Sequence, residues 1–267
     1  MKSIKIFLYF IILIGFNSYS QKIFKDYGNR KYSDTLDNKL LHKVCDNLEI
    51  KFSDVYINKS HSISFIPDKT FFALQYIIKN TEDGNLYTTK YLFADNSNGQ
   101  VIDQIDDIES FYDEEAIQPS PSYILKNRIK FNDSIIGIGI ITEESVRSCA
   151  TLYSRQKISI ISLSNNKITT LLDGYPIRKM QGQSNCSGNY EIETLEKSID
   201  LMKNKTNGLY NLSVTKMFTY ENVVEENLDK KIKGKKIVKS KTEIEKLIFN
   251  GINYDFKKDE ILRFLEW

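Results

Sequence analysis

Residues 158–172 read ISIISLSNNKITTLL, two runs of isoleucine, leucine and threonine around Asn165-Asn166. β-branched residues on either side of a pair that tolerates positive φ are the signature of a tight hairpin. The same unit recurs in both directions. Upstream, Thr70–Asn80 and Asn85–Asp95 flank Asp83-Gly84, with Tyr87, Tyr91 and Phe93 on alternate positions, and the chain turns again at Asn98-Gly99 into Gln100–Ile105. Ile124–Phe131 and Ser134–Thr142 flank Asn132-Asp133. Downstream, Tyr175–Met180 continues past Gly174, Tyr190–Met202 turns through Asn207-Gly208 into Leu209–Tyr220, and Leu247–Phe249 returns through Asn250-Gly251 as Ile252–Phe256.

Parallel strands would need long crossovers between these runs, so the pattern predicts antiparallel hairpins and meanders. The fold class is mainly β, propeller-like or a sandwich, with one short N-terminal helix. Tyr87–Asp106 and Arg155–Asp173 share a strand, Asn-turn, strand, acid order, the kind of repetition a meander array shows. The helix is expected over about 34–47, where Leu36, Leu40, Leu41, Val44, Cys45 and Leu48 share a face and Ser33 or Asp34 offers an N-cap. His42 on that helix has no second His four residues away and reads as a solvated residue.

The chain has 267 residues, 37 Lys+Arg, 35 Asp+Glu, two His and three Cys. At 41% hydrophobic residues it is too apolar for disorder, and a mean hydropathy of −0.38 is too polar for a multi-span membrane protein. Two His and three Cys exclude three-His and four-Cys zinc centres. Residues 1–20, MKSIKIFLYFIILIGFNSYS, read as a signal peptide cut near Ser20/Gln21: two lysines, an apolar run from Ile6 to Phe16, then small residues. That run is shorter than the roughly 20 residues that span a bilayer, so no membrane span is expected after its removal. The expected compartment is the periplasm or the medium. Cleavage removes Lys2 and Lys5 and no acid, which balances the formal charge and argues against nucleic acid as a partner. Residues 21–33 are expected as a flexible lead-in, 34–66 as the helix with its connection, 67–257 as the β-rich domain and 258–267 as a tail able to form a short helix.

In an oxidising compartment three Cys imply one disulfide and one odd thiol. Cys149 opens the run that turns near Asn165 and Cys186 closes the run that returns, so an antiparallel hairpin brings the two to one end. The alternative leaves both thiols free and partly buried. Two charge blocks stand out. Between Tyr91 and Leu125 lie Asp95, Asp103, Asp106, Asp107, Glu109, Asp113, Glu114 and Glu115 with no Lys or Arg. Between Lys230 and Lys241 lie seven lysines and no acid, which reads as an exposed loop or a lysine-blunted edge strand. Asp95, Asp103, Asp106 and Asp107 are candidate calcium ligands, although the Asp95–Gly99 loop is out of register with the helix-loop-helix calcium motif. No other cofactor is indicated. Asp34-Thr35-Leu36 and Asp133-Ser134-Ile135 resemble an O-glycosylation acceptor pattern of exported bacterial proteins.

G-x-S-x-G, H-E-x-x-H, C-x-x-C, P-loop and dinucleotide motifs are all missing. Ser184, in the polar stretch Gln183-Ser184-Asn185, has no sequence sign of a base, and catalytic residues remain unknown. The expected function is a non-catalytic binding or interaction module with a protein or glycan partner. Two alternatives stand beside it: a carboxylate-based glycan hydrolase using acids of the 103–115 stretch, and a structural cell-envelope protein.

The segments Leu152-Tyr153-Ser154-Arg155, Asn166-Lys167-Ile168, Leu171-Leu172-Asp173-Gly174, Cys186-Ser187-Gly188 and Thr206–Val214 carry a resemblance over about residues 70–256. The chain resembles a family of exported bacterial β-rich proteins for which no activity is established, which implies a fold and no reaction. Thr206–Val214 is also similar to integrin-type propeller repeats, with Asn211 where that repeat carries Asp.

Overall fold

A computed structural model describes residues 22–24, 32–33, 35–82, 84–106, 111–112, 117–119, 122–226 and 233–257. The signal segment, Asp34, Asp83, Asp107, Glu109, Asp113, Glu114, Glu115, Lys230, Lys231 and the tail 258–267 lie outside the described residues.

The elements in chain order are β1 (Lys22–Phe24), α1 (Asn38–Leu48), β2 (His61–Ile66), β3 (Lys69–Thr81), β4 (Gly84–Asp95), β5 (Val101–Asp106), β6 (Phe111–Tyr112), β7 (Ile117–Pro119), β8 (Tyr123–Ile124) and β9 (Ile129–Lys130). The long strands follow: β10 (Ile136–Val146), β11 (Thr151–Ser164), β12 (Lys167–Ser184), β13 (Tyr190–Thr206), β14 (Leu209–Val224) and β15 (Lys235–Leu247). They form two antiparallel sheets. The small one runs β2-β3-β4-β5, with β6 also on β4. The large one runs β15-β14-β13-β12-β11-β10-β7, with β8 and β9 on β10 and β1 on β13. Two continuous sheets take the place of propeller blades: the two repeat-like stretches, Tyr87–Asp106 and Arg155–Asp173, fall in different sheets. Asn165 and Asn166 both adopt positive φ, as does the Asn207-Gly208 pair, so the hairpins turn where the sequence places them.

Four layers result. Leu40, Leu41, Val44 and Cys45 of α1 pack on Phe72, Leu74, Leu92 and Ala94 of the small sheet. Alternation puts Phe71, Ala73, Tyr91 and Phe93 on its opposite face, against Ile138, Ile140 and Ile161 of the large sheet. The largest core lies beyond. Pairing between β12 and β13 covers only Arg178–Ser184 with Tyr190–Glu196. Past that point the strands fork, and Leu171, Leu172, Tyr175 and Ile177 of one enclose a core with Ile199 and Leu201 of the other and Leu212 and Val214 of β14. A shifted register near Lys157–Pro176 accompanies the fork, because an extra residue on β12 exchanges the faces of that strand. β1 takes the side of β13 that β12 has left, with Ile23 buried in this core. Phe249 and Tyr254, joined in one bridge, close its lower end.

Three boundaries differ from the sequence reading. The lead-in 21–33 contains β1, held by pairing too short to leave a periodic pattern. The helix starts at Asn38, because Ser33 Oγ and Thr35 Oγ1 both donate to Ser62 O and keep the preceding residues extended beside β2. Asp37 is its cap, accepting from Leu40 N–H at 3.0 Å. The connection 34–66 includes β2, a full member of the small sheet. Gly99 has φ +75°, and a Cβ there would lie 2.4 Å from Lys43 Cβ, so the Asn98-Gly99 turn also serves as the seat of the helix.

Candidate functional site

Cys149 and Cys186 are joined by a disulfide, with Cα atoms 5.3 Å apart. The geometry follows from the β11/β12 hairpin: Thr151 pairs with Gln183, and Ser184 N–H donates to Ala150 O, so both cysteines leave the ladder at the same end. Cys45 is the free thiol and lies on the buried face of α1, where burial pushes its pKa up to about 11.

The β12–β13 connection beyond the disulfide is a pinned turn. Cys186 and Gly188 adopt positive φ. Ser184 Oγ accepts from Cys186 N–H at 3.0 Å. Asn185 Oδ1 accepts from the backbone N–H of Ser187 and of Asn189, at 2.9 and 3.0 Å. Asn189 Oδ1 accepts from Glu225 N–H at 2.7 Å, which ties the turn to the end of β14. Polar groups at this end are therefore held by backbone and have few rotamers left to lose on binding.

Beside the turn lies a cleft of about 330 Å³ lined by Gln183, Ser184, Asn185, Asn189, Tyr190, Glu191, Asn222, Val223 and Val224. Register puts Gln183, Glu191 and Asn222 in one row across β12, β13 and β14. Tyr220 Oη donates to Glu191 Oε1 at 2.6 Å and accepts from Asn222 Nδ2 at 3.3 Å. The bond to Glu191 raises the Tyr220 pKa above the usual tyrosine value. On the other face Tyr190 Oη donates to Glu221 Oε2 at 3.1 Å. Glu191, Tyr220 and Asn222 thus form one connected set of carboxylate, phenol and amide, with the exposed Gln183 beside it.

Two further clefts lie among the described residues. One of about 270 Å³ lies between the sheets, with Tyr91, Thr142, Lys157, Ser159 and Asp173 among its lining. The other, about 450 Å³, lies at the lower end among Ile135, Leu171, Leu209, Phe249 and Ile252. Its turns are braced by Asn132 Nδ2 donating to Gly208 O and Asn207 Nδ2 to Phe249 O.

The described calcium candidates, Asp95, Asp103 and Asp106, do not gather. Asp95 closes its own turn, taking both the N–H and the hydroxyl of Ser97, which lowers its pKa. Asp103 accepts from Ile168 N–H at 2.7 Å and faces Lys167 at 3.5 Å, joining β5 to β12. Asp106 pairs with the buried Lys90. Asp107 lies outside the described residues, and among the described residues no cluster of three or more His, Cys, Asp or Glu is placed to hold a metal. The lysine block falls largely on β15, which pairs with β14 on one side and with no described strand on the other. Thr35 and Ser134, the acceptor hydroxyls of the two glycosylation-like triplets, differ in setting: Thr35 Oγ1 is engaged with Ser33 and Ser62, and Ser134 stands exposed on its turn.

Sequence reasoning reached Cys149, Cys186 and the Gln183–Asn185 stretch, but missed Tyr190, Glu191 and Asn222. The density of Asn, Gln and Ser around Cys186, from Gln181 to Asn189, was the signal available. No family model, curated protein or solved structure matches the chain. Among the described residues no helix is long and apolar enough to cross a membrane.

Proposed function

We propose that the protein is an exported, non-catalytic binding module that presents the cleft over β12–β14 to a partner outside the cell. The observation that carries this reading is the polar row Gln183, Glu191 and Asn222, of which Glu191 and Asn222 are both held by Tyr220, beside a turn closed by a disulfide. Such a surface offers oriented hydrogen-bonding groups at low entropic cost. The solvent-exposed disulfide supports the export half of the reading, since oxidising compartments preserve such bonds. The resemblance to exported β-rich proteins points the same way.

The test is isotope-edited NMR of the labelled protein titrated with solubilised cell-surface polysaccharide and with a short-peptide library. Saturable shifts confined to residues 183–191 and 222–224, with the added molecules recovered unchanged, are the expected result. Shifts at the inter-sheet or lower cleft, or cleavage of the added molecule, would overturn it.

A further inference from the structure

We infer that the ligand of the β12–β14 cleft is the end of an uncharged, hydroxyl-rich chain, a neutral saccharide; this inference rests on the reading of that cleft as the binding site. Charge is the first ground. Glu191 is the one ionised group among the described lining residues, and its Oε1 already accepts from Tyr220. The lining contributes no Lys or Arg, and of the lysines on the adjoining β15 Lys236 already lies 4.0 Å from Glu221 and Lys239 over the Tyr220 ring, so a carboxylate, sulfate or phosphate in the cleft would face the Glu191 carboxylate.

The second ground is hydrogen-bonding character. Asn185 and Asn189 hold their carbonyl oxygens on backbone N–H groups, so the NH₂ end of each is what remains for a ligand. Glu191 Oε2 and Asn222 Oδ1 supply acceptors in the same row, and the exposed Gln183 amide supplies both. A sugar hydroxyl donates and accepts at once, as this mixture requires. Val224, two residues from Asn222 on β14 and so on the same face, gives apolar surface for the C–H face of a ring. About 330 Å³ is near the small end of ligand sites, roughly 300–1,000 Å³, which suits a chain terminus.

The third ground is the backbone. Gln183 is paired on both sides, to Thr151 and Glu191, and Asn222 on both sides, to Glu191 and Ile237. The cleft therefore presents no free strand edge, and an extended peptide cannot be added there by main-chain pairing.

The experiment is calorimetry of the intact disulfide-bonded protein with cellotriose, maltotriose, xylotriose and tri-N-acetylchitotriose at millimolar concentration. Sialyllactose serves as the charged comparator and a short-peptide library as the second arm. Binding of a neutral trisaccharide is expected. Gln183→Ala and Asn222→Ala should each weaken it about fivefold to tenfold, the worth of one hydrogen bond, while Ile252→Ser at the opposite end changes nothing. Gln183 is exposed, so its substitution leaves the thermal melt in place and separates lost contact from lost fold. Preference for the charged sugar, or binding indifferent to both substitutions, overturns the inference. Peptide binding that Gln183→Ala abolishes, with no neutral saccharide bound, removes the saccharide and leaves the binding-site reading standing. Silence in both arms removes both.

Discussion

Tyr175 Oη donates a 3.0 Å hydrogen bond to Glu245 Oε2, across 70 residues of sequence and from the fully buried heart of β12 to the edge strand β15. The same carboxylate oxygen lies 2.8 Å from Lys216 Nζ, and Lys197 Nζ sits 4.2 Å over the Tyr175 ring. One carboxylate thus gathers β12, β14 and β15 at the upper margin of the largest core. Tyr175→Phe keeps the ring and the cation above it but drops the hydroxyl, and should cost about 1–2 kcal/mol in urea unfolding. Glu245→Ala also removes the 2.8 Å contact to Lys216 and should cost more than Tyr175→Phe. Equal stability of wild type and Tyr175→Phe would mean that the bond contributes nothing net.

The disulfide closes a span of 37 residues at the tip of β11 and β12. Its removal by the double Cys149→Ser, Cys186→Ser substitution should lower stability by about 2–4 kcal/mol, much of it through a freer unfolded chain. Both sulfurs are on exposed residues, so mild reductant should reproduce the effect without denaturation. Calorimetric melts with and without dithiothreitol check this, and a melt unmoved by reduction would contradict it.

Asp103 is held below the ordinary carboxylate range, chiefly by the Ile168 N–H and further by Lys167. A depressed folded-state pKa contributes stability that is present above the unfolded value, about 3.9, and lost as pH falls through the folded value. Asp103→Asn keeps an acceptor for Ile168 but cannot titrate. The variant should be less stable than wild type at pH 7, with the gap closing as the pH drops below about 3.9. Melting temperature against pH for both proteins reads this directly, and a gap that persists in acid would exclude the linkage.

How much of this could be read from the chain depends on range. Asn165-Asn166 and Asn207-Gly208 need positive φ, which few residue pairs accept, so those hairpins and the Cys149–Cys186 pairing were legible. The fork between β12 and β13 was not, because the core it encloses joins Leu171, Leu172 and Tyr175 to Ile199 and Leu212, which lie far along the sequence. The start of α1 was misplaced because Ser62, from β2, competes for the residues before Asp37. At the cleft, Gln183 was visible as a polar turn residue. Asn222 and Glu191 looked like ordinary strand positions until pairing set them in one row.

Cys45 should behave as a buried thiol with a pKa near 11. A raised folded-state value keeps the neutral form, so its contribution is complete below the unfolded value, about 8.5, and fades as pH rises toward 11. Native protein should not react with Ellman's reagent at pH 8, and one thiol should appear on unfolding without reductant. Prompt labelling of the native state would show α1 lifting from the small sheet.

Gly99→Ala tests the seat of that helix. The new methyl would fall 2.4 Å from Lys43 Cβ on a backbone of φ +75°, and nearby Lys43 Nζ donates to Ser97 O at 2.7 Å. A loss of about 1–3 kcal/mol is expected, with faster Ellman labelling of Cys45 as its companion. An unchanged melt would mean that the turn can move at no cost.

The closure of the largest core has a consequence for the order in which the chain can fold. β10 to β15 pair in sequence order, each strand beside its predecessor, so the meander can grow as the chain emerges. Ile23 and Tyr254, more than two hundred positions apart, enter the same core, and Tyr254 N–H reaches back to Leu171 O at 2.8 Å. Closing such distant contacts carries the largest loop entropy in the molecule. A growing chain therefore carries an open apolar trough until residue 254 has arrived, and the slowest step belongs to the seal rather than to the strands.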